Sequence, residues 1–260
     1  MEQSGSLDFV ALGGRGGGKK ADAPSILVIS PHPDDDVIGM GGAMRLFADE
    51  GRQVFSVYIT DGTEAGSDAG AAGALRCREA LAALKIVRAR GAFFLHHASA
   101  SLKSGAAGKA SRQLQAILAL LQPAELYLPS PFERHPTHRR VTRIALEAVS
   151  IKKFRQVRIW GYSVWGGIYG LPGTRAVDIS RCLRVKRKAM RRHVSQMAKK
   201  PYDRGALGRN AYEGAYLQTH GGPCPQGAEL FIDMARLRSW KWAEGLAGAI
   251  AGGGRPAASD

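Results

Sequence analysis

The chain reads as an α/β protein with a Rossmann-like, mostly parallel sheet flanked by helices and a C-terminal helical extension. Three observations predict this. Strand-like and helix-like patterns alternate from Ser25 to Val164, the rhythm of a right-handed parallel sheet. The run Ile26-Leu27-Val28-Ile29 has no polar residue inside it, as expected of a strand covered on both faces. Two histidine-bearing segments, Pro31–Asp36 and His135–His138, each follow a predicted strand, where open α/β sheets bind ligands.

Residues 1–23 are rich in glycine and polar groups and too poor in apolar side chains to offset the entropy of ordering, so a loose tail is expected. The first strand, Ser25–Ser30, runs into a helix with Val37, Met40, Met44 and Phe47 on one stripe. Gly39, Gly41 and Gly42 are poor helix formers and point to close backbone approach there. Gly51 ends the helix, and Val54–Thr60 forms the second strand. A glycine-rich loop, Asp61–Gly73, precedes a helix over Leu75–Leu84 whose apolar side is Cys77, Leu81 and Leu84. A short strand, Ala92–Leu95, and a loop, Ser99–Lys109, come next. Leu114, Ile117, Leu118 and Leu121 give a helical stripe that stops before Pro123. Strand Glu125–Leu128 leads into the second histidine segment, and Val141, Ile144, Ala145 and Ala148 mark the following helix. Val157–Val164 is the fifth strand, and beyond Gly166 the rhythm breaks. Ser180 is placed to cap a basic amphipathic helix with Leu183, Met190, Val194 and Met197 on one face. A glycine-punctuated stretch, Asp203–Gly222, precedes a strand at Glu229–Asp233, and residues 246–260 are expected as a second loose tail.

With 37 basic and 22 acidic residues the chain is strongly positive, and no acidic residue lies between Ile179 and Tyr202. Such a balance favours anionic partners, whether nucleic acid, a lipid surface or an acidic substrate. Cys77, Cys182 and Cys224 are odd in number and scattered, which suggests reduced thiols rather than a disulfide framework. No apolar run of about 18 residues is present, so no membrane span is expected. Without an apolar signal core near Met1, a cytoplasmic location is expected. The glycines after the first strand do not spell G-x-G-x-x-G, and no G-x-S-x-G elbow occurs, which argues against a dinucleotide site and a serine hydrolase.

The chemistry gathers in Pro31-His32-Pro33-Asp34-Asp35-Asp36 and His135-Pro136-Thr137-His138. The aspartates alone fit a helix N-terminus, where carboxylates cap free N–H groups. That reading leaves the three histidines unexplained. A catalytic zinc site needs three nitrogen or oxygen ligands and a position open to water, and His32, Asp35 and His138 supply them. Asp34 beside the ion is then the general base. His135, as imidazolium, would stabilise an oxyanion and protonate a departing amine. These roles fit hydrolysis of an acyl–nitrogen bond. Arg76 at a helix start is a candidate substrate contact, weighed against an ion pair with Glu79 or Glu64. Trp165 beside Gly166-Gly167 is a candidate for stacking on a sugar, weighed against a place in the core. His96, His97, His193 and His220 are read as structural or exposed.

Pro31–Asp36, Thr60-Asp61-Gly62, Arg76-x-x-Glu79 and His135-Pro136-x-His138 together resemble the PIG-L/LmbE-like family of N-acetylglucosaminyl deacetylases. Ser195-Gln196, Gly208-Arg209-Asn210 and Ala228-Glu229-x-Phe231 resemble bacterial members that handle small N-acetylglucosaminides. The likeness spans about Ser25–Met234, so residues 24–245 are taken as one deacetylase domain between tails 1–23 and 246–260. It implies a Rossmann-like fold and a divalent metal, usually zinc with ferrous iron as the alternative. It also implies ligands at His32, Asp35 and His138, the base at Asp34 and the acid at His135; Asp61, in the Thr60-Asp61-Gly62 motif, is taken with Arg76 and Trp165 as a candidate substrate contact. The chain departs from the family in having Asp36 where Glu is usual, Thr137 in the middle of the second motif, and His97-Ala98-Ser99-Ala100 where many members carry Asp-Gly.

The expected activity is metal-dependent removal of an N-acetyl group from an N-acetylglucosamine-type conjugate, a small-molecule partner, releasing acetate and a free amine. One alternative is an amidase of a larger thiol–sugar conjugate in the same site. Another is a basic phosphate- or nucleic-acid-binding module, gripping through Arg181–Lys200 with a vestigial metal site. A solvated basic face on a packed helix is the simpler account of that stretch, which disfavours nucleic acid. The resemblance leaves a homo-oligomer open.

Overall fold

A computed structural model describes residues 7–13, 24–63, 69–99, 101–103, 105–150, 156–168, 174–215 and 224–235. The expected tail 246–260, His220 and Glu64 lie outside them. The strands are β1 (Asp8–Ala11), β2 (Ser25–Ser30), β3 (Gln53–Thr60), β4 (Gly91–His97), β5 (Glu125–Pro129), β6 (Arg158–Tyr162), β7 (Thr174–Asp178) and β8 (Ala228–Asp233). The helices are α1 (Asp35–Asp49), α2 (Ala69–Val87), α3 (Ala106–Leu121), α4 (Pro136–Val149), α5 (Leu183–Met190), α6 (Val194–Met197) and α7 (Tyr202–Ala215). The eight strands form one sheet in the order β1-β4-β3-β2-β5-β6-β8-β7. Strands β4, β3, β2, β5 and β6 run parallel, and β1, β8 and β7 join antiparallel at the two flanks. The Rossmann-like, mostly parallel architecture expected from the sequence is therefore the one the chain adopts.

Strand β2 organises the sheet because alternate residues feed two cores. Ile26 and Val28 pack with Val37, Met40 and Met44 of α1 and Leu84 of α2. Leu27 and Ile29 pack with Leu114 and Ile117 of α3 and Ile144 of α4 on the other face. From β2 the chain winds outward through β3 and β4, then returns to lay β5 on the opposite side of β2. The carboxyl ends of β2 and β5 thus border the topological switch point, the crevice where such sheets bind ligands.

Helix α1 carries an internal break that its glycines explain. Met40 has non-helical backbone angles (φ −143°, ψ 22°). The break frees the N–H groups of Gly42 and Ala43, which donate to the Glu229 carboxylate at 3.0 and 2.7 Å. Lys186 Nζ donates to the same carboxylate at 2.6 Å, and both side chains are fully buried. A Cβ on Gly39 would stand 2.3 Å from the Tyr162 ring, and one on Gly42 would stand 2.7 Å from Ile179. The close approach expected at this glycine run is thus helix-on-sheet packing.

Several expectations need correction. Within the supposed tail 1–23, Asp8–Ala11 form β1, which covers the edge of β4 and sets the Phe9 ring 4.6 Å from that of Phe93, tilted by 36°. The loop Ser99–Lys109 holds a short 3₁₀ turn at Ser101–Lys103 and the first turn of α3. The single basic helix is three pieces, a 3₁₀ turn at Ser180–Cys182 followed by α5 and α6. Val194, counted on its apolar face, is 65% exposed. Its cations are partly consumed internally: Lys186 by Glu229, and Arg187 and Arg191 by Asp203 at 3.4 and 2.8 Å. The stretch from Asp203 begins inside α7 rather than as a glycine-broken loop. Strand β7 is not predicted from the sequence, because its register is set only by pairing with β8. The three cysteines are free, and no described helix is long and apolar enough to cross a membrane.

His193, between α5 and α6, is fully buried, and neither ring nitrogen has a hydrogen-bond partner. Burial pulls its pKa down to about 4 against the opposing pull of Glu79. The unfolded chain therefore binds a proton that the fold excludes, so stability falls as pH drops from the ordinary histidine value toward 4. His193→Phe should flatten the melting temperature across that window, where this one group accounts for about 3 kcal/mol. An unchanged slope would show that His193 is not the group responsible. At the buried pair, Glu229→Ala strands the Lys186 ammonium and two helix N–H groups, and should cost about 3–5 kcal/mol in urea unfolding. Lys186→Met leaves Glu229 its two amide donors and should cost less.

Candidate metal centre

The first segment leaves β2 at Ser30, whose hydroxyl donates to the His32 carbonyl at 2.7 Å and accepts from the Asp36 amide at 3.1 Å. This local tie turns three consecutive aspartates inward, and all three are buried. Each meets different chemistry. Asp34 occupies the helix N-cap position but makes no capping bond there. Its Oδ1 accepts instead from the Arg76 guanidinium at 3.0 Å. Asp35 Oδ2 accepts the His32 backbone N–H at 2.9 Å, faces His32 Nδ1 at 2.9 Å and His138 Nε2 at 3.2 Å. Asp36 accepts from Ser56 Oγ and Tyr58 OH, each at 2.7 Å, beneath the site.

The second segment follows β5. Pro136 opens α4, where a missing N–H costs nothing, and the preceding His135 caps the helix by accepting from the Thr137 amide through Nδ1 at 3.3 Å. His138 lies one turn in, fully buried, with Nε2 3.3 Å from His32 Nδ1. The three imidazoles present ligand atoms all within 4.8 Å of one another.

Titration follows from these partners. Burial, followed by repulsion from Asp35, raises Asp34 to about 6 against the pull of Arg76. Asp35 resists its own burial and is held well below the ordinary carboxylate range by His138 and His32. Burial raises Asp36 to about 6. Burial works against protonation of His138, yet Asp35 and Glu133 carry it up to about 10. His135 is pulled down to about 4 by burial and by the neighbouring imidazoles. The expectation of a standing imidazolium at His135 is therefore corrected to a neutral ring whose Nε2 carries the proton.

His32 Nδ1, Asp35 Oδ2 and His138 Nε2 form a triangle with edges of 2.9, 3.2 and 3.3 Å. Donors about 2.0–2.2 Å from one ion stand roughly 3.0–3.6 Å apart, so the residues present suit one divalent ion. His135 is adjacent, its ring 5.2 Å from His32 and 4.9 Å from His138.

Glu133 joins the candidate centre, although the sequence motifs do not single it out. Its fully buried carboxylate accepts from His138 Nδ1 at 3.1 Å and from the amides of Val164, Trp165 and Gly166. It sets the orientation of the His138 ring, with Nδ1–H on the Glu133 carboxylate and Nε2 turned to the triangle. An acidic residue five positions before a candidate ligand was the available signal.

The expected substrate contacts divide. Arg76 is buried, with its terminal nitrogens engaged by Asp34 and the Gly62 carbonyl. It is a partner of Asp34 rather than a free contact for substrate. Gly62 has a left-handed φ of +70°, and a Cβ there would strike the guanidinium, which accounts for the glycine of Thr60-Asp61-Gly62. Asp61 Oδ1 is taken by the Thr63 amide and hydroxyl at 2.9 and 2.8 Å. Trp165 is 42% exposed, with its ring 4.9 Å from that of Tyr202, so it lies outside the core. Glu79 accepts from the Ser195 amide and hydroxyl at 2.7 and 2.6 Å, in place of the expected ion pair with Arg76. His97 meets Gln113 at 2.7 Å, and His96 meets Asp8 at 3.0 Å.

A histidine–aspartate triangle at the switch point of a Rossmann-like sheet defines an α/β protein with a candidate metal centre. Residues 27–149 match the family described as GlcNAc-PI de-N-acetylase, and over this span the chain is similar to that family. A diacetylchitobiose deacetylase of Thermococcus kodakarensis is 29% identical over 191 residues, 67% of this chain and 71% of that protein. The structure of the N,N'-diacetylchitobiose deacetylase from Pyrococcus horikoshii superposes with a TM-score of 0.67 at 26% identity, covering 82% of this chain and 84% of that one. The 4-carboxy-2-hydroxymuconate hydratase GalB from Pseudomonas putida KT2440 superposes with a TM-score of 0.63 at 20% identity, covering 80% and 95%. The fold alone therefore does not fix the reaction.

Glu133→Ala should release the His138 ring and lower affinity for added zinc by about 10–100-fold. Calorimetric titration of the metal-stripped protein checks this, and unchanged affinity would remove Glu133 from the centre.

Proposed function

We propose that the chain is a divalent-metal-dependent N-deacetylase acting on an N-acetylglucosamine-type conjugate. The carrying observation is the His32–Asp35–His138 triangle with Asp34 held beside it by Arg76. The sequence likeness to diacetylchitobiose deacetylases supports the choice of an acetamido sugar.

His32, Asp35 and His138 would hold the ion, zinc or alternatively ferrous iron, which when bound supplies Lewis acidity and makes water a stronger acid. Asp34 accepts the proton as water adds to the acetamide carbonyl. A carboxylate near 6 is mostly ionised at neutral pH yet basic enough to take that proton. Arg76 orients it and keeps it off the triangle. The neutral His135, its Nδ1 occupied by the Thr137 amide, offers its Nε2–H to the developing oxyanion. Asp34 then returns its proton to the nitrogen as the C–N bond breaks, giving acetate and a free amine. Delivery falls to Asp34 because a neutral imidazole N–H is too weak an acid for it.

Asp34→Asn should keep bound metal but lose about 10²–10⁴-fold in acetate release from an N-acetylglucosaminide. Wild-type turnover in that variant would exclude Asp34 as the proton carrier. Assaying amine release from a bulky thiol–sugar amide alongside small acetamido sugars separates the deacetylase from the amidase.

A further inference from the structure

Two buried polar groups beside the candidate centre each lack what the other can supply. Arg76 is 7% exposed, and its terminal nitrogens donate to Asp34 and to the Gly62 carbonyl. Among the described residues its buried Nε–H finds no acceptor. Glu79, three residues on along α2, turns its carboxylate to Ser195 instead. His193 stands at the start of α6, two residues before that serine. It is fully buried, and neither ring nitrogen has a partner among the described residues. The charges acting on its ring are those of Glu79, Arg76 and Asp35, so it faces the turn of α2 that bears Arg76. Burial keeps the ring neutral at ordinary pH, which leaves one nitrogen as an acceptor.

A buried donor or acceptor left unmet is costly, and native proteins join such groups directly or through enclosed water. Arg76 and His193 make no direct hydrogen bond. An anion between them would lie among the charges of Asp34, Asp35 and Glu79 and could not donate to the ring. Water accepts from one group and donates to the other. We propose that an enclosed water accepts from Arg76 Nε–H and donates to His193, making His193 a positioning residue for the guanidinium that holds Asp34. The link matters because bonds at the terminal nitrogens alone leave the stem end of the planar guanidinium loose, and a bond at Nε fixes it. The proposal rests on the reading of Asp34 as the proton carrier.

The test uses the full chain with zinc added and observes the Arg76 Nε–H directly by nitrogen–proton NMR. Its signal is identified by its loss in Arg76→Lys. In the wild type this proton should exchange with solvent about tenfold or more slowly than those of exposed arginines. It should also show cross-relaxation with a long-lived water. His193→Phe fills the space without offering an acceptor, and should abolish that cross-relaxation and shift the signal. The same variant should lower kcat for acetate release about tenfold, with KM changed by less than about twofold. His193→Asn and His193→Gln each set an amide oxygen near one ring nitrogen, and at least one should recover both the signal and kcat. A signal unmoved by His193→Phe, or equal loss in all three variants, overturns the proposal and leaves His193 a role in packing alone. Should the variants fail to fold, the wild-type spectrum decides, and no long-lived water at the Arg76 Nε–H removes the link. Failure of the wild type to release acetate from any acetamido sugar would defeat the deacetylase reading and leave the NMR contact measurable.

Discussion

Burying three successive carboxylates at the end of the central strand is the constraint around which the rest of the molecule is arranged. Adjacent negative charges out of water repel each other and lose solvation, so each must be protonated or separately compensated. The chain compensates them in three directions. Asp34 turns to Arg76 on α2, Asp35 to His32 and His138, and Asp36 to Ser56 and Tyr58 on β3. The result is a graded set in which Asp35 stays ionised while Asp34 and Asp36 are raised to about 6. One carboxylate is thereby fit to hold a cation, and its neighbour is fit to carry a proton.

The surrounding motifs are the means by which that set is kept in place. Glu133 collects the amides of the segment after β6 and presents the His138 ring. Glu79, on the helix that bears Arg76, is anchored by Ser195. Glu229 caps the broken turn of α1, the helix that starts with Asp35, and Lys186 balances its charge. Asn210 donates to the Ala228 carbonyl at 2.7 Å, bringing α7 to β8. Segments far apart in the chain that carry short polar motifs therefore converge as braces, and among the described residues the candidate ligands come from two segments.

This division of labour explains why a shared architecture accommodates different reactions. The sheet and its switch point place two loops together, and a hydratase has a similar fold. In this chain the loops carry an aspartate kept beside a donor triangle and an imidazole whose Nδ1 accepts from a backbone amide. The proposed acyl transfer asks for such a combination, since it needs both a proton carrier and a donor for the oxyanion.

Local pattern was enough to reveal the sheet strands with apolar runs, the helices with clean stripes, and both histidine segments. Those features are written in periodicities and side-chain types that do not depend on distant partners. Strand β1, the division of the basic helix and strand β7 were beyond that reach, because each exists only through pairing or ion contacts with remote residues. The same limit governs the site. Sequence named the aspartates and histidines, but the neutral state of His135, the capture of Arg76 by Asp34 and the place of Glu133 depend on burial and neighbours. Residue identity determined which donors the protein possesses. Only folding decided which of them face one another, because protonation and orientation are set by what surrounds a group once water has been excluded.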